Sequence, residues 1–188
     1  HTSSDLESTS VTISGTCKDT VLNDANLSLP SSTIATSSNI IIDTAFPVVT
    51  SIQSTTANGS YRSGQTIGIS IDFSELVTSS GTLSLSLSSG GTVVFGPFVG
   101  TNTTGVYTIL VGQNTSSLNA TALNLISGTI LDGSANAVSL AIPSTNISPM
   151  RNIQVDTISA TFLSNALAAN NSSIDITLSE GVYSTNLG

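Results

Sequence analysis

The chain has 188 residues, of which 38 % are hydrophobic and only 7 % are charged, and its formal net charge is −8. This length predicts one or two domains, and the mean hydropathy of +0.32 indicates that hydrophobic cores can be filled and argues against disorder. Only Lys18, Arg62 and Arg151 are basic, so no basic patch can neutralise phosphates. We therefore expect neither nucleic acid nor an anionic membrane as a partner.

The predicted surface consists of hydroxyl and amide side chains, because Ser and Thr make up about a third of the chain. The single Cys17 excludes an intramolecular disulfide framework, and we interpret it as a small buried hydrophobic residue. No apolar run reaches about 18 residues, so no membrane insertion is expected. The chain begins at His1 without a signal peptide, which predicts a processed mature chain or a fragment. Together these features favour an extracellular or cell-surface protein.

The sequence of residues 1–43 predicts three short strands, because short segments are separated there by turn residues such as Asn23-Asp24 and Pro30. These strands are expected at 9–14, 25–29 and 38–42.

Residues 44–156 alternate apolar and polar side chains with a period of two, which is typical of half-buried strands. The alternation is clearest at 67–73 and 83–87, where Ile, Phe and Leu share one face. Turn dipeptides such as Asn58-Gly59 and Asp132-Gly133 separate the segments, and no helical periodicity persists over three turns. The pattern predicts an all-β, antiparallel β-sandwich. Its remaining strands are expected at 47–53, 92–99, 105–112, 121–126, 137–142 and 151–155.

Part of the chain occurs twice. Residues 13–44 align with 126–157 without a gap, so that Gly15 corresponds to Gly128 at an offset of 113 residues. Residues 173–182 match 68–77 at an offset of 105. A period near 113 residues suits a whole small domain rather than a solenoid turn. We therefore predict the last part of one repeat at 1–43, a complete repeat at 44–156, and the first strands of a further repeat at 157–188.

Neither flank can close a sandwich core alone, and exposed strands seek pairing partners. Two interpretations follow. In the first, the flanks of different molecules complete one another by strand addition. In the second, the chain is a fragment of a longer array, cut without respect to domain edges.

The stretch IIDTAFPVVTSIQSTTANGSYRSGQTIGISIDFSELV, followed by ISGTILDGSANAVSLAIP and IQVDT, resembles the bacterial Ig-like and cadherin-like tandem repeats of large surface proteins and adhesins. The similarity spans 44–157 fully and both flanks partly. Ala45-Phe46-Pro47 stands where those repeats have TAP, and Gly133 to Asn136 where they have A-A-G-N. The resemblance implies an extracellular, repetitive Ig-like β-sandwich that is stiffened by calcium.

Six of the eleven acidic residues lie at repeated positions. In an Ig-type sandwich, the start of the first strand, the loop after the second and the loop before the last meet at one end. Asp43, Glu75, Asp132 and the amide of Asn136 would then converge at the junction with the preceding repeat, where oxygen ligands suit Ca²⁺. The alternative is that these carboxylates only cap turns. The corresponding residues in the flanks are Asp19, Asn23, Asp156 and Glu180.

No catalytic arrangement is present in the sequence, because the one histidine is His1 and no nucleophile has a base partner. We expect a non-enzymatic extracellular structural module of a filament, sheath or adhesin stalk. It would act by stacking, or by head-to-tail strand exchange with copies of itself or neighbouring repeats. The alternative is a ligand-binding adhesin domain that recognises glycan or a host or cell-surface protein, although three Tyr and no Trp disfavour a sugar-stacking platform.

Overall fold

The computed structural model describes residues 2–167, 169 and 172–182. His1 lies outside the described residues, as do 168, 170, 171 and 183–188 of the segment predicted to hold the first strands of a further repeat. Within the described residues the chain forms eleven strands and two four-residue helices. The strands are β1 (Val49–Ser54), β2 (Gly59–Tyr61), β3 (Thr66–Ser79), β4 (Thr82–Leu87), β5 (Thr92–Phe95), β6 (Phe98–Thr108), β7 (Ala120–Ser127), β8 (Ile130–Leu131), β9 (Ile153–Val155), β10 (Phe162–Leu167) and β11 (Ile174–Leu178), and the helices are α1 (Ile34–Ser37) and α2 (Ile147–Met150).

Two mainly antiparallel sheets enclose one hydrophobic core. One sheet has the order β1-β3-β6, with β8 also paired to β3, and the other has the order β5-β4-β7. The alternation of apolar and polar residues puts Ile69 and Ile71 of β3 in the same fully buried cluster as Leu83 and Leu85 of β4. The buried core extends from Val49 to Val155. The predicted all-β sandwich is thus confirmed, and its core lies within 44–156.

Three details of the sandwich differ from the predicted strands. The segment 92–99 is not one strand, because it breaks at Gly96-Pro97 into β5 and β6, which belong to different sheets. The segment 137–142 makes only isolated bridges. The predicted turn at Asn58-Gly59 leads directly into β2, which pairs in parallel with β9. That pairing joins segments more than 90 residues apart, so no local pattern could indicate it.

The strands predicted at 9–14, 25–29 and 38–42 are wrong: residues 2–43 form isolated bridges and the helix α1, and no continuous strand. Cys17, predicted to be buried, is exposed. The physical reason is the same for both. In the part of the chain that the structure describes, no second sheet packs on residues 2–43, and alternation alone does not produce a paired or buried strand.

The hairpin β10–β11 has the register of β1–β3. The pair Phe162↔Leu178 corresponds to Val49↔Phe73, and both hairpins have a bulge immediately after this pair. The corresponding pairs then continue to the end of each first strand, at Leu167↔Ile174 and Ser54↔Ile69.

Residues 3–43 likewise have the local hydrogen bonds of 115–156. The bridge Lys18↔Asp24 corresponds to Leu131↔Ala137, and the helix α1 lies where α2 lies in the later segment. The bridge Ser3↔Ile42 corresponds to Thr115↔Val155, with a one-residue shift on the first strand. Residues 3–43 and the hairpin β10–β11 therefore have the backbone bridges and strand pairing of the corresponding parts of the sandwich.

Candidate metal site

Three carboxylates come together at one end of the sandwich. Asp43 precedes β1, Glu75 lies on β3, and Asp132 follows β8. Each offers one carboxylate oxygen, and these oxygens lie within 4.8 Å of one another. Asp132 is buried, and Asp43 and Glu75 are half-buried. We call these three residues the acidic cluster.

A bulge in β3 positions Glu75. The pairing of β3 with β6 shifts register between Asp72 and Val77, and Glu75 lies within β3 at this shift. The predicted position of Glu75, in a loop after the strand, is therefore wrong. Next to it, Ser74 is bonded twice to Val48. Its main-chain nitrogen donates to the Val48 carbonyl at 2.9 Å, and its hydroxyl accepts from the Val48 nitrogen at 3.0 Å. The bulge and these bonds hold Glu75 close to the segment that carries Asp43.

A tight loop positions Asp132. Its Oδ1 accepts hydrogen bonds from the main-chain nitrogens of Ser134 and Asn136, both at 2.8 Å. Its Oδ2 accepts from the side-chain amide of Asn136 at 2.9 Å. Burial acts to raise the pKa of Asp132, but the hydrogen bonds from Asn136 and Ser134 outweigh it, and the pKa lies below its ordinary value. Asp132 is therefore ionised at neutral pH.

Asn136 links two members of the acidic cluster. Its Nδ2 donates to Asp132 Oδ2 and also to the main-chain carbonyl of Asp43, at 3.1 Å. Only its Oδ1 remains to serve as a ligand, because an amide nitrogen that donates hydrogen bonds does not bind a cation.

The corresponding residues in the flanks are not brought together: among the described residues, Asp43, Glu75 and Asp132 form the one group of three or more His, Cys, Asp or Glu side chains close enough to share a metal ion. Asp19 and Asn23 nevertheless repeat the loop. Asp19 Oδ1 accepts from the nitrogens of Val21 and Asn23, and Oδ2 accepts from the Asn23 amide. The hydrogen bonds from Asn23 lower the pKa of Asp19. Asp156 and Glu180 are exposed.

Among the described residues, no Lys or Arg forms an ion pair with the acidic cluster. The one salt bridge within the described part of the chain joins Lys18 and Asp24, far along the sequence from the cluster. Asp43 and Asp132 also cap turns, since Asp43 Oδ1 accepts from the nitrogen of Ala45 at 2.9 Å. Glu75 has no such role, because none of the described residues donates a hydrogen bond to its carboxylate. Three close carboxylates and an amide oxygen could hold a Ca²⁺ ion, with carbonyls and waters as further ligands.

Comparisons with known proteins found no matching family model, no matching curated protein and no matching solved structure. The resemblance to Ig-like and cadherin-like repeats therefore stays a prediction from the sequence. Among the described residues, no helix has the length and apolarity that a membrane span requires.

Proposed function

We propose that this chain is a non-enzymatic structural module of an extracellular surface assembly, built from tandem β-sandwich repeats. The observation that carries this proposal is the agreement between each flank and the corresponding part of the sandwich. The hairpin β10–β11 has the register and bulge of β1–β3. Equal strand register and an equal bulge position are expected of repeats that share one fold. An array of such repeats forms an extended chain of domains.

In this proposal a calcium ion bound by Asp43, Glu75 and Asp132 stiffens the junction between repeats. Asp43 lies where the chain enters the sandwich, whereas Glu75 and Asp132 belong to the sandwich itself. An ion shared among them would tie the entering segment to two separate elements. The geometry supports this role, because Asp43, Glu75 and Asp132 each offer a carboxylate oxygen within 4.8 Å of the others, close enough for one ion to contact all three.

Light scattering of the purified chain across a range of protein concentrations, first with calcium and then with a chelator, tests the proposal. We expect growth into long species as the concentration rises, and reversal of that growth by the chelator. A mass of 19.0 kDa, that of one chain, under every condition would contradict self-assembly. Growth that persists in the chelator would contradict only the role of calcium.

A further inference from the structure

A polar surface of the sandwich crosses three neighbouring backbone segments. The parallel pair β2–β9 contains the partners Ser60↔Gln154, and the bridge Thr115↔Val155 adds the segment 114–116 on the other side of β9. Three adjoining hollows of about 350, 310 and 340 Å³ lie on this surface, volumes at the lower end of the range for small-ligand sites. Each pair of hollows shares one lining residue, so the three are continuous. We call this surface the polar groove.

Hydrogen bonds orient two amide side chains that line the polar groove. Asn58 Oδ1 accepts from the main-chain nitrogen of Asn152 at 3.1 Å, and Asn114 Oδ1 accepts from that of Thr157 at 2.7 Å. A main-chain nitrogen can only donate, so each amide oxygen must face it and each Nδ2 must lie on the other side of the amide. Among the described residues, neither Nδ2 has an acceptor. Both nitrogens are therefore oriented donors without a partner in the protein.

Gln154 supplies a third amide, between the other two. It is exposed on β9 and lines the hollows of both Asn58 and Asn114. Its Oε1 accepts from Ser60 Oγ at 3.0 Å, and its Nε2 has no acceptor within the described part of the chain. A ligand rich in acceptor oxygens would thus meet three donors that the protein already holds in place, which lowers the entropy cost of binding.

One end of the polar groove adds two opposite charges. Arg62 and Asp156 line the third hollow, both are exposed, and no ion pair joins them, since Lys18–Asp24 is the one salt bridge that the described residues form. Asp156 Oδ1 accepts from the nitrogen of Ile158 at 3.0 Å, which leaves its second oxygen as an acceptor. A guanidinium donates and a carboxylate accepts, so together they suit neighbouring hydroxyl groups on one ligand. Either a cationic or an anionic ligand would meet a like charge here.

The amide lining of the polar groove is not a by-product of the fold. A hollow of about 310 Å³ lies at the corresponding place in residues 2–43, beside the bridge Ser3↔Ile42. Thr2 and Ile41 stand there in the positions of Asn114 and Gln154. The shape of this hollow therefore follows from the backbone that the two segments share, whereas its amides are particular to residues 44–156.

We infer that the polar groove binds a neutral oligosaccharide, with the amide nitrogens of Asn58, Asn114 and Gln154 donating to sugar oxygens. Sugar hydroxyls both donate and accept, which matches the three amides and the unpaired Arg62 and Asp156. A protein partner is the poorer match, because the anchors of protein interfaces are mostly large aromatic or apolar side chains, and these hollows have mainly polar linings.

The inference goes beyond the proposed function, because the polar groove lies within one sandwich and needs no second copy. The aromatic side chain that lines it, Tyr61, is half-buried, so binding depends on hydrogen bonds more than on stacking. We therefore expect a weak site, with a Kd of about 1 mM for a short oligosaccharide.

NMR titration of the 15N-labelled chain with neutral tetrasaccharides tests the inference. The probes are cellotetraose, maltotetraose, xylotetraose and chitotetraose, each added to about 10 mM, which is ten times the expected Kd. We expect at least one of them to shift the side-chain NH2 signals of Asn58, Asn114 and Gln154. No shift with any of the four sugars overturns the inference, and so do shifts confined to other residues. If the uncharged peptide acetyl-Gly-Ser-Gly-Ser-amide shifts these signals and the sugars do not, the groove binds extended peptide and the inference is wrong.

Amide-to-acid variants give a second readout, because they keep the shape of the side chain and remove its donor. In Gln154→Glu and Asn114→Asp the remaining oxygen still accepts from Ser60 or Thr157. Asn124→Asp is the matched control, since Asn124 is exposed on β7, outside the groove, and gains the same charge. We expect the Kd to rise about tenfold or more in the two groove variants and to stay unchanged in the control. Equal affinities in all three variants would overturn the inference.

The outcomes separate this inference from the proposed function. Chains that stay monomeric and bind a tetrasaccharide support the polar groove and contradict assembly. Chains that assemble while the three amide signals stay unshifted overturn the polar groove alone.

Discussion

The side-chain amide of Asn136 donates a hydrogen bond to the main-chain carbonyl of Asp43, across 93 residues of chain. The same nitrogen donates to Asp132 Oδ2, so one neutral side chain holds together two of the three acidic residues. Hydrogen bonds thus fix the relative position of Asp43 and Asp132 before any cation is considered.

We expect Asn136→Ala to lower the free energy of unfolding of the sandwich by about 1–2 kcal/mol, because the buried Asp132 carboxylate loses one of its three donors and the Asp43 carbonyl loses the Asn136 amide. The midpoint of urea unfolding, at unchanged slope, measures the loss. Asn23→Ala is the matched control, since Asn23 makes the same loop bonds outside the sandwich core. Equal effects of the two substitutions would show that the link to Asp43 contributes nothing.

Calcium should raise the melting temperature of the chain, and Glu75→Gln should abolish the rise. Binding to the folded state at about 100 times the dissociation constant adds about 2.7 kcal/mol of stability. Glu7→Gln makes the same chemical change on an exposed residue and should leave the rise intact. A rise that survives in Glu75→Gln would place the ion elsewhere.

Tyr107 should make the sandwich sensitive to high pH. Its hydroxyl is buried, bonded to Ser89 Oγ and Gln113 Oε1 at 2.8 Å each, and burial raises its pKa. An unfolded tyrosine ionises near pH 10, so the unfolded state releases its proton first. Stability should be complete below about pH 10 and fall as the pH rises through the folded-state pKa.

Tyr107→Phe should remove this alkaline loss, at a cost of about 1 kcal/mol at neutral pH for the missing hydrogen bonds. Urea midpoints between about pH 8 and 11 measure both effects. Tyr61→Phe is the control, because among the described residues its exposed hydroxyl bonds to the carbonyl of Ala57 alone. An unchanged alkaline fall in Tyr107→Phe would assign the sensitivity to another group.

Gly81 should not tolerate a side chain. A Cβ there would overlap the main-chain carbonyl of Ser127 and the backbone of Gly128, which cannot move without breaking the pairing of β4 with β7. We expect Gly81→Ala to destabilise the sandwich by about 1–3 kcal/mol. Gly96→Ala meets no atom within 4 Å and should change stability by about 0.5 kcal/mol or less. Similar thermal melts for both variants would contradict this.

Ile71 and Ile176 occupy the same register position in the two hairpins, yet only Ile71 is buried. Ile71→Ala should lower the free energy of unfolding by about 2–5 kcal/mol. Ile176→Ala should leave it within about 0.5 kcal/mol when measured on dilute, separate chains. A large effect of Ile176→Ala under those conditions would mean that the second hairpin is already covered within one molecule.

Features that depend on nearby residues could be predicted from the sequence. Alternation over a few residues predicts β3 and β4, because strand side chains point to opposite faces in turn. The spacing of Asp132 and Asn136, found again at Asp19 and Asn23, predicts two equivalent loops, since their hydrogen bonds span only four residues.

Features that depend on distant partners were decided only by the tertiary structure. They include the parallel pairing of β2 with β9, the bulge that carries Glu75, and the break of one predicted strand at Gly96-Pro97. Cys17 and Ile130 correspond in sequence, yet Cys17 is exposed and Ile130 is buried. The physical reason is that a strand is stabilised by the strands and the sheet that cover it, and these come from segments far along the chain.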